Sequence, residues 1–162
     1  MDKYSFRVVE ERDIELIYYL RLISKTDALK TTTRTENRNF MRKNISQEIN
    51  TYYCFESEEY IIGYQRFYEK EKKIEIGSLI TSPNATSLEK LKFDLEFKRF
   101  VFGKTQKKEL YFDVNGNNKT VWRFHEHLGA KLIGIGKSNR HYVLTHSAFR
   151  KSYNKFAHRI KI

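Results

Sequence analysis

The chain has 162 residues, enough for one domain with a real core, and its single Pro and seven Gly argue against linkers and disorder. Its 31 Lys plus Arg against 20 Asp plus Glu give a formal charge of +11, which points to anionic partners such as nucleic acid or a nucleotide-linked small molecule, or else only to lysine-rich solvated faces. One cysteine, Cys54, excludes an internal disulfide and a zinc site of clustered thiolates; with no apolar run of membrane-spanning length and no apolar leader core in Met1 to Arg7, the expected location is the cytoplasm.

Residues 4–10 read as a first strand, and Asp13 can cap a helix running to about Ile23, with Leu16, Ile17, Leu20 and Ile23 at helical spacing. Residues 24–50 are polar and basic. Arg34, Arg38 and Arg42 recur every fourth residue, so on a helix they share one face and can fork onto phosphate or carboxylate oxygens; a solvated face is the plainer alternative. Asn44 to Glu48 resembles a new helix start. Residues 51–81 read as three strands, Tyr52–Phe55, Tyr60–Tyr68 and Ile74–Thr81, joined by short charged turns that favour antiparallel hairpins. After the break Ser82-Pro83-Asn84-Ala85-Thr86-Ser87, a helix is predicted over Leu88–Phe102. It carries two apolar stripes, Leu88, Leu91, Leu95, Phe102 and Phe93, Phe97, Phe100, Val101. One stripe suits the sheet, and the other suits a homodimer contact. Gly103 to Lys108 reads as a basic turn, Leu110–Val114 as a strand, Lys131–Gly136 and His141–His146 as the last two strands, and Ser147–Ile162 as a basic, aromatic tail. His141 and His146 lie five apart in that strand, on opposite faces, so they make a poor metal-ligand pair, and no metal is expected.

The stretch from Val114 to Ala130 orders the rest. Asn115-Gly116-Asn117-Asn118 is turn chemistry with an Asn to cap the next helix, and Gly129 suits a left-handed stop. At 100° per residue, Val121, Phe124, His125 and Leu128 share one face, whereas Arg123, Glu126 and His127 point away.

A strand ending in Val114, an Asn four residues later at Asn118, and a helix closing on Leu128-Gly129-Ala130 resemble the C-terminal signature of the GNAT (Gcn5-related N-acetyltransferase) superfamily. The element order β-α-α-β-β-β-α-β-α-β-β is similar to that fold over nearly the whole chain, with the specific motifs at about residues 60–136. The resemblance implies an α/β (mixed α+β) single domain over residues 1–162, with a mixed, mostly antiparallel sheet of six to seven strands and about four helices. Its acceptor side would be about 1–58, its CoA side about 59–136, and its C-terminal strands and basic tail 137–162.

The resemblance further implies transfer of an acetyl group from acetyl-CoA, as co-substrate and without a metal, to an acceptor amine. Leu79, Ile80 and Thr81 would offer the backbone N–H that stabilises the oxyanion, and Ser82, Asn84, Ala85, Thr86 and Ser87 would meet the CoA pyrophosphate at a helix N-terminus. That loop departs from the family pattern Arg/Gln-x-x-Gly-x-Gly/Ala: it has no glycine and is a few residues shorter. Asn118 would place its helix and bond the pantetheine arm. His125 takes the position of the usual Tyr general acid, and Glu75 is the candidate base or water-positioning group. Arg34, Arg38 and Arg42 would bind a small anionic amine acceptor. The Val121-to-Glu126 run is similar to members acting on nucleotide-linked amino sugars. Protein N-terminal acetylation of a ribosomal-protein type is a second expectation. A catalytically silent module binding nucleic acid or an acidic protein is a third, and an acyl donor other than acetyl, on an acidic carrier, a fourth. No membrane partner is expected.

Overall fold

The computed structural model describes residues 4–23, 33–45, 47, 52–77 and 79–160. In chain order the elements are β1 (Tyr4–Val8), a 3-10 turn (Glu11–Asp13), α1 (Ile14–Ile23), α2 (Arg34–Ile45), β2 (Tyr52–Ser57), β3 (Ile61–Lys70), β4 (Lys73–Ile76), β5 (Ile80–Thr81), α3 (Ser87–Thr105), β6 (Glu109–Asn115), α4 (Lys119–His127), β7 (Lys131–Ile135), β8 (Asn139–Thr145) and α5 (His146–Ile160). They form two compact units, Met1–Phe67 with Ser78–Phe93, and Tyr68–Gly77 with Asp94–Ile162. The mixed, mostly antiparallel architecture expected from the sequence is present, with eight strands and five α-helices among the described residues.

In the first unit β1, β2 and β3 pair antiparallel, with a bulge between Phe55 and Glu56, and β5 lies antiparallel to β3 through Gly63↔Thr81 and Tyr64↔Ile80. A Cβ at Gly63 would stand 2.5 Å from the Ile80 carbonyl oxygen, so only glycine lets β5 approach this closely. On α1 the residues Ile14, Ile17 and Leu20 turn inward at helical spacing, whereas Leu16 and Ile23, expected on that face, are exposed. The inward three join Val9, Met41, Tyr52, Cys54, Tyr64 and Ile80 in one core. Asp13 accepts from the Glu10 N–H at 2.8 Å and takes a bidentate pair from Arg7 at 2.7 and 3.0 Å, which closes the turn before α1. Burial pushes the Cys54 thiol up to about 12, so Cys54 is a packed, unreactive side chain.

In the second unit β4 runs parallel to β6 over three residue pairs, Ile74↔Leu110 to Ile76↔Phe112, while β6 and β8 pair antiparallel from Glu109↔Thr145 to Asn115↔Asn139. Among the described residues, β6 beyond Phe112 therefore pairs on the β8 side alone. β7 flanks β8, with an irregularity between Leu132 and Gly134. The turn from β3 to β4 has Glu71 and Lys72 at φ 50° and 64°, the paired left-handed geometry that suits the twist of a two-residue hairpin.

Several local readings are corrected. The strand expected over 74–81 is two strands with different partners, β4 on β6 and β5 on β3. Gly103 lies inside α3, on an exposed turn where a helical glycine costs only about 1 kcal/mol. His146 opens α5 and is not in a strand, and the aromatic tail is helical to Ile160, with Phe149, Tyr153 and Phe156 at i, i+4 and i+7. Both stripes of α3 are largely buried from Phe93 to Phe102 (Phe93, Leu95, Phe97, Val101, Phe102), with Phe100 half-buried, whereas Leu88 is 53% exposed. The helix start expected at 44–48 is instead the end of α2 at Ile45; Ser46 and Glu48 lie outside the described residues.

Candidate active site

The loop from Ser82 to Ser87, in the first unit, has most of its backbone donors already engaged within the chain. The Ser82 N–H bonds the Ile62 carbonyl at 2.9 Å, and the Ala85 N–H bonds that of Ser82 at 3.1 Å. The Asn84 N–H bonds the Ser82 hydroxyl at 3.2 Å. At the start of α3, Thr86 and Glu89 form a reciprocal cap. The Glu89 carboxylate accepts from the Thr86 N–H at 2.8 Å and the Thr86 hydroxyl at 2.9 Å, and the Glu89 N–H returns to that hydroxyl at 3.2 Å. The Tyr60 hydroxyl donates to the same carboxylate at 2.7 Å, and this bond lifts the Tyr60 phenol to about 12. An internal carboxylate thus occupies the helix N-terminus that the sequence assigns to a pyrophosphate. Among the described residues, the N–H groups of Ser87 and Leu88 are the ones left unpartnered there.

The arginine face of α2 exists, but it is engaged. Arg34 Nε and Arg38 Nε donate to the two oxygens of Glu15 on α1 at 2.6 and 3.1 Å, and Arg42 Nε donates to Glu11 at 2.7 Å. Hydrogen bonds from Arg38 and Arg34 hold the Glu15 carboxyl below its ordinary range, and Arg42 does the same for Glu11. The sequence assigns the three arginines to an anionic ligand. Here they staple α2 to the preceding helical segment, three cations on two carboxylates.

In the second unit α4 is built as its sequence dictates. The Asn118 side chain accepts from the Val121 N–H, capping the helix, and Gly129 ends it at φ 97°. His125 points inward, 6% exposed, with its ring 4.7 Å from Phe112 and 5.2 Å from Phe124. Beneath it lies a buried pair absent from the sequence expectations: Lys98 donates to Asp94, one helical turn away on α3, and its ammonium sits 5.3 Å from the Phe112 ring centre. A charged residue within the stripe Leu91, Leu95, Lys98, Phe102 is the signal that the sequence offers for it.

Burial, and then the Lys98 charge, push His125 down to about 4, against the pull of Asp94, so the imidazole is neutral at physiological pH. In that state His125 can donate a hydrogen bond but carries no charge. Its Nδ1 and the Asp94 Oδ2 are 4.0 Å apart, and among the described residues neither atom has a hydrogen-bond partner. Burial likewise holds the Lys98 ammonium below the ordinary lysine range, with Asp94 acting the other way.

On the opposite face of β4 and β6, Glu75 accepts from the Tyr68 hydroxyl at 2.7 Å, and Lys73 lies 4.9 Å from the Tyr111 ring centre. Glu75 is the register partner of Tyr111. Two residues further along β6, Asp113 is the partner of His141, and these two side chains meet at 2.6 Å. His146, stacked on Phe102 at 4.7 Å, is unrelated to His141. No cluster of three or more metal-ligating His, Cys, Asp or Glu side chains occurs among the described residues. No helix there is long and apolar enough to cross a membrane.

No protein-family model matches the chain, and no curated protein matches it in sequence. Solved structures do match. The apo structure of FdhC, a nucleotide-linked sugar GNAT, superposes with a TM-score of 0.82 at 23% identity, covering 96% of this chain and 94% of that one. The spermidine/spermine N-acetyltransferase SpeG from Vibrio cholerae, in its complex with manganese ions, gives 0.72 at 15% identity, covering 92% and 96%. A GCN5-related N-acetyltransferase from Brucella melitensis gives 0.73 at 12% identity, covering 99% and 83%.

Proposed function

We propose that this chain, which has the GNAT fold, moves an acetyl group from acetyl-CoA to the amine of a small anionic acceptor, a nucleotide-linked amino sugar by class. The observation that carries the reading is the likeness, over 96% of this chain, to a protein described as a nucleotide-linked sugar GNAT. The formal charge of +11 suits a donor and an acceptor that both bear phosphates.

In this reading Leu79, Ile80 and Thr81 supply the backbone donor to the developing oxyanion. Ser87 and Leu88, with Ser82, Asn84, Ala85 and Thr86 shaping the loop, receive the pyrophosphate, and Asn118 positions the pantetheine arm. Arg34, Arg38 and Arg42 exchange Glu15 and Glu11 for acceptor phosphate oxygens, a swap of one anion for another at little electrostatic cost. His125 offers a neutral hydrogen bond to the leaving sulfur, and Glu75 orders water or takes a proton on its strand face.

The first test is thermal unfolding with and without millimolar acetyl-CoA, with ATP as control. A ligand at a hundred times its Kd adds about 2.7 kcal/mol, several degrees in Tm for a domain of this size. A shift with acetyl-CoA and CoA, but not ATP, is the expected result, and no shift overturns the reading. The internal cap at the helix start favours one rival, a catalytically silent module of the same fold. That rival predicts no shift, together with nucleic-acid binding that falls steeply with salt. Glu89 supplies a second measurement. Because its carboxylate sits where a pyrophosphate would be repelled, Glu89→Gln, which keeps an acceptor for Thr86, is expected to tighten acetyl-CoA several-fold in calorimetry; unchanged or weaker binding would place the pyrophosphate elsewhere.

A further inference from the structure

We infer that His141, oriented by Asp113, is the base that takes the proton from the acceptor ammonium; this rests on the acetyltransferase reading above and names a group in it that the family signature does not supply.

The geometry has three parts. First, Nδ1 of His141 lies 2.6 Å from Oδ1 of Asp113 across the β6–β8 ladder, in direct register. An ionised carboxylate only accepts, so Nδ1 carries the proton and Nε2 presents its lone pair outward. Second, the neighbouring strand and its end meet the ring with glycine backbone and no side chain. Gly134 faces His141 on β7, where a Cβ would stand 3.4 Å from the ring Cδ2. Gly136 lies beside Nε2, where a Cβ would stand 3.0 Å away. Any side chain at Gly136 would crowd the lone pair. Third, the pair lies on the same strand face as Glu75, Tyr68 and Tyr111, with side chains 43% and 54% exposed for His141 and Asp113, so an acceptor can reach it. A partly exposed hydrogen-bonded pair contributes little to stability, so stability alone gives this arrangement little purpose. Among the described residues, the ring's hydrogen-bond partner is Asp113 from β6, and glycine backbone at β7 and its end lies beside it.

The chemistry closes on these atoms. Nε2 removes one proton from the acceptor R–NH3+, and the imidazolium that forms is stabilised by Asp113. The free amine attacks the thioester carbonyl, the C–N bond forms, and the C–S bond breaks. The second amine proton leaves with the thiolate as the CoA thiol, and the imidazolium returns its proton to solvent. His141 is the catalytic residue in this scheme, and Asp113 is a positioning residue.

The test follows thiol release from acetyl-CoA with a set of UDP- and dTDP-linked amino sugars as acceptors, as a function of pH. With the sugar that the wild type acetylates, His141→Gln is expected to lower kcat about 100-fold or more, the usual contribution of a positioned base, and to remove the acid limb of the rate profile. Added imidazole should restore part of the activity of His141→Ala. Asp113→Asn should lower kcat with KM nearly unchanged, and Asp113→Glu should recover some of it. Gly136→Ala, which keeps both members of the pair and fills the space at Nε2, should lower kcat while leaving stabilisation by acetyl-CoA intact. Wild-type kcat and an unchanged acid limb in folded His141→Gln overturn the assignment and leave the acetyltransferase reading standing. A wild type that transfers to none of these sugars and is not stabilised by acetyl-CoA overturns both.

Discussion

Replacing Lys98 by alanine is expected to destabilise the protein by about 3–5 kcal/mol, the cost of leaving a buried charge without its partner. Lys98 is 1% exposed and Asp94 7%, and each is the other's ion-pair partner within one turn of α3. Truncation removes the cation and its methylene stem together, so Asp94 is left as a buried carboxylate facing the neutral His125. The opposite result is expected when both charges go. Lys98→Met with Asp94→Val puts apolar side chains close to the replaced volumes and removes both desolvation costs, and such replacements are commonly neutral or stabilising by about 1–4 kcal/mol. Urea titrations of the two single variants and the double variant close a mutant cycle, read from midpoints at constant slope. A Lys98→Ala midpoint close to that of the wild type would mean that Asp94 is solvated and the pair is not buried in solution.

The second large effect is a loss of stability in mild acid that belongs to His125. Its folded value of about 4 lies below the ordinary 6.5, because burial and the Lys98 charge disfavour the imidazolium. The unfolded chain therefore binds a proton that the folded chain refuses throughout that interval. Stability from this source is fully present above about pH 6.5 and is lost as the pH falls towards 4, by about 3 kcal/mol in all. His125→Gln should flatten the stability profile in this window, and Lys98→Met should raise the lower edge of the window by removing one of the two causes. Unfolding free energies at closely spaced pH values decide it. An equal slope in wild type and His125→Gln would assign the acid sensitivity to other groups.

The same residue shows how far local pattern reaches. His125 stands out in the sequence because it takes a position where a Tyr is usual, and its inward face follows from the spacing of Val121, Phe124 and Leu128. Its charge state does not follow, because that depends on Asp94 and Lys98, which arrive from another helix. The arginines of α2 are a parallel case. Their common face is legible from the i, i+4, i+8 spacing, but their partners Glu15 and Glu11 lie 19 to 31 residues earlier and carry no local mark of the contact. In the loop at 82–87 the missing glycines are plain in the sequence. The capping box of Thr86 and Glu89 is equally local, in a spacing of three residues, and the anion that the resemblance supplies at this place obscures it.

The sequence by itself determined what depends on neighbours within about one helical turn: the Asn118 cap, the left-handed stop at Gly129, the inward turn of Ile17, Leu20, Leu95 and His125, and the element order that resembles the GNAT fold. Tertiary structure alone decided the pairings. It splits the stretch at 74–81 between β6 and β3, seats Lys98 against Asp94 beneath His125, and joins Asp113 to His141 across 28 residues. The physical reason is that backbone propensity and side-chain periodicity are short-range. Desolvation, ion pairing and strand register depend instead on which distant segment is brought alongside, and those are the quantities that set the protonation and accessibility of every side chain in the proposed chemistry.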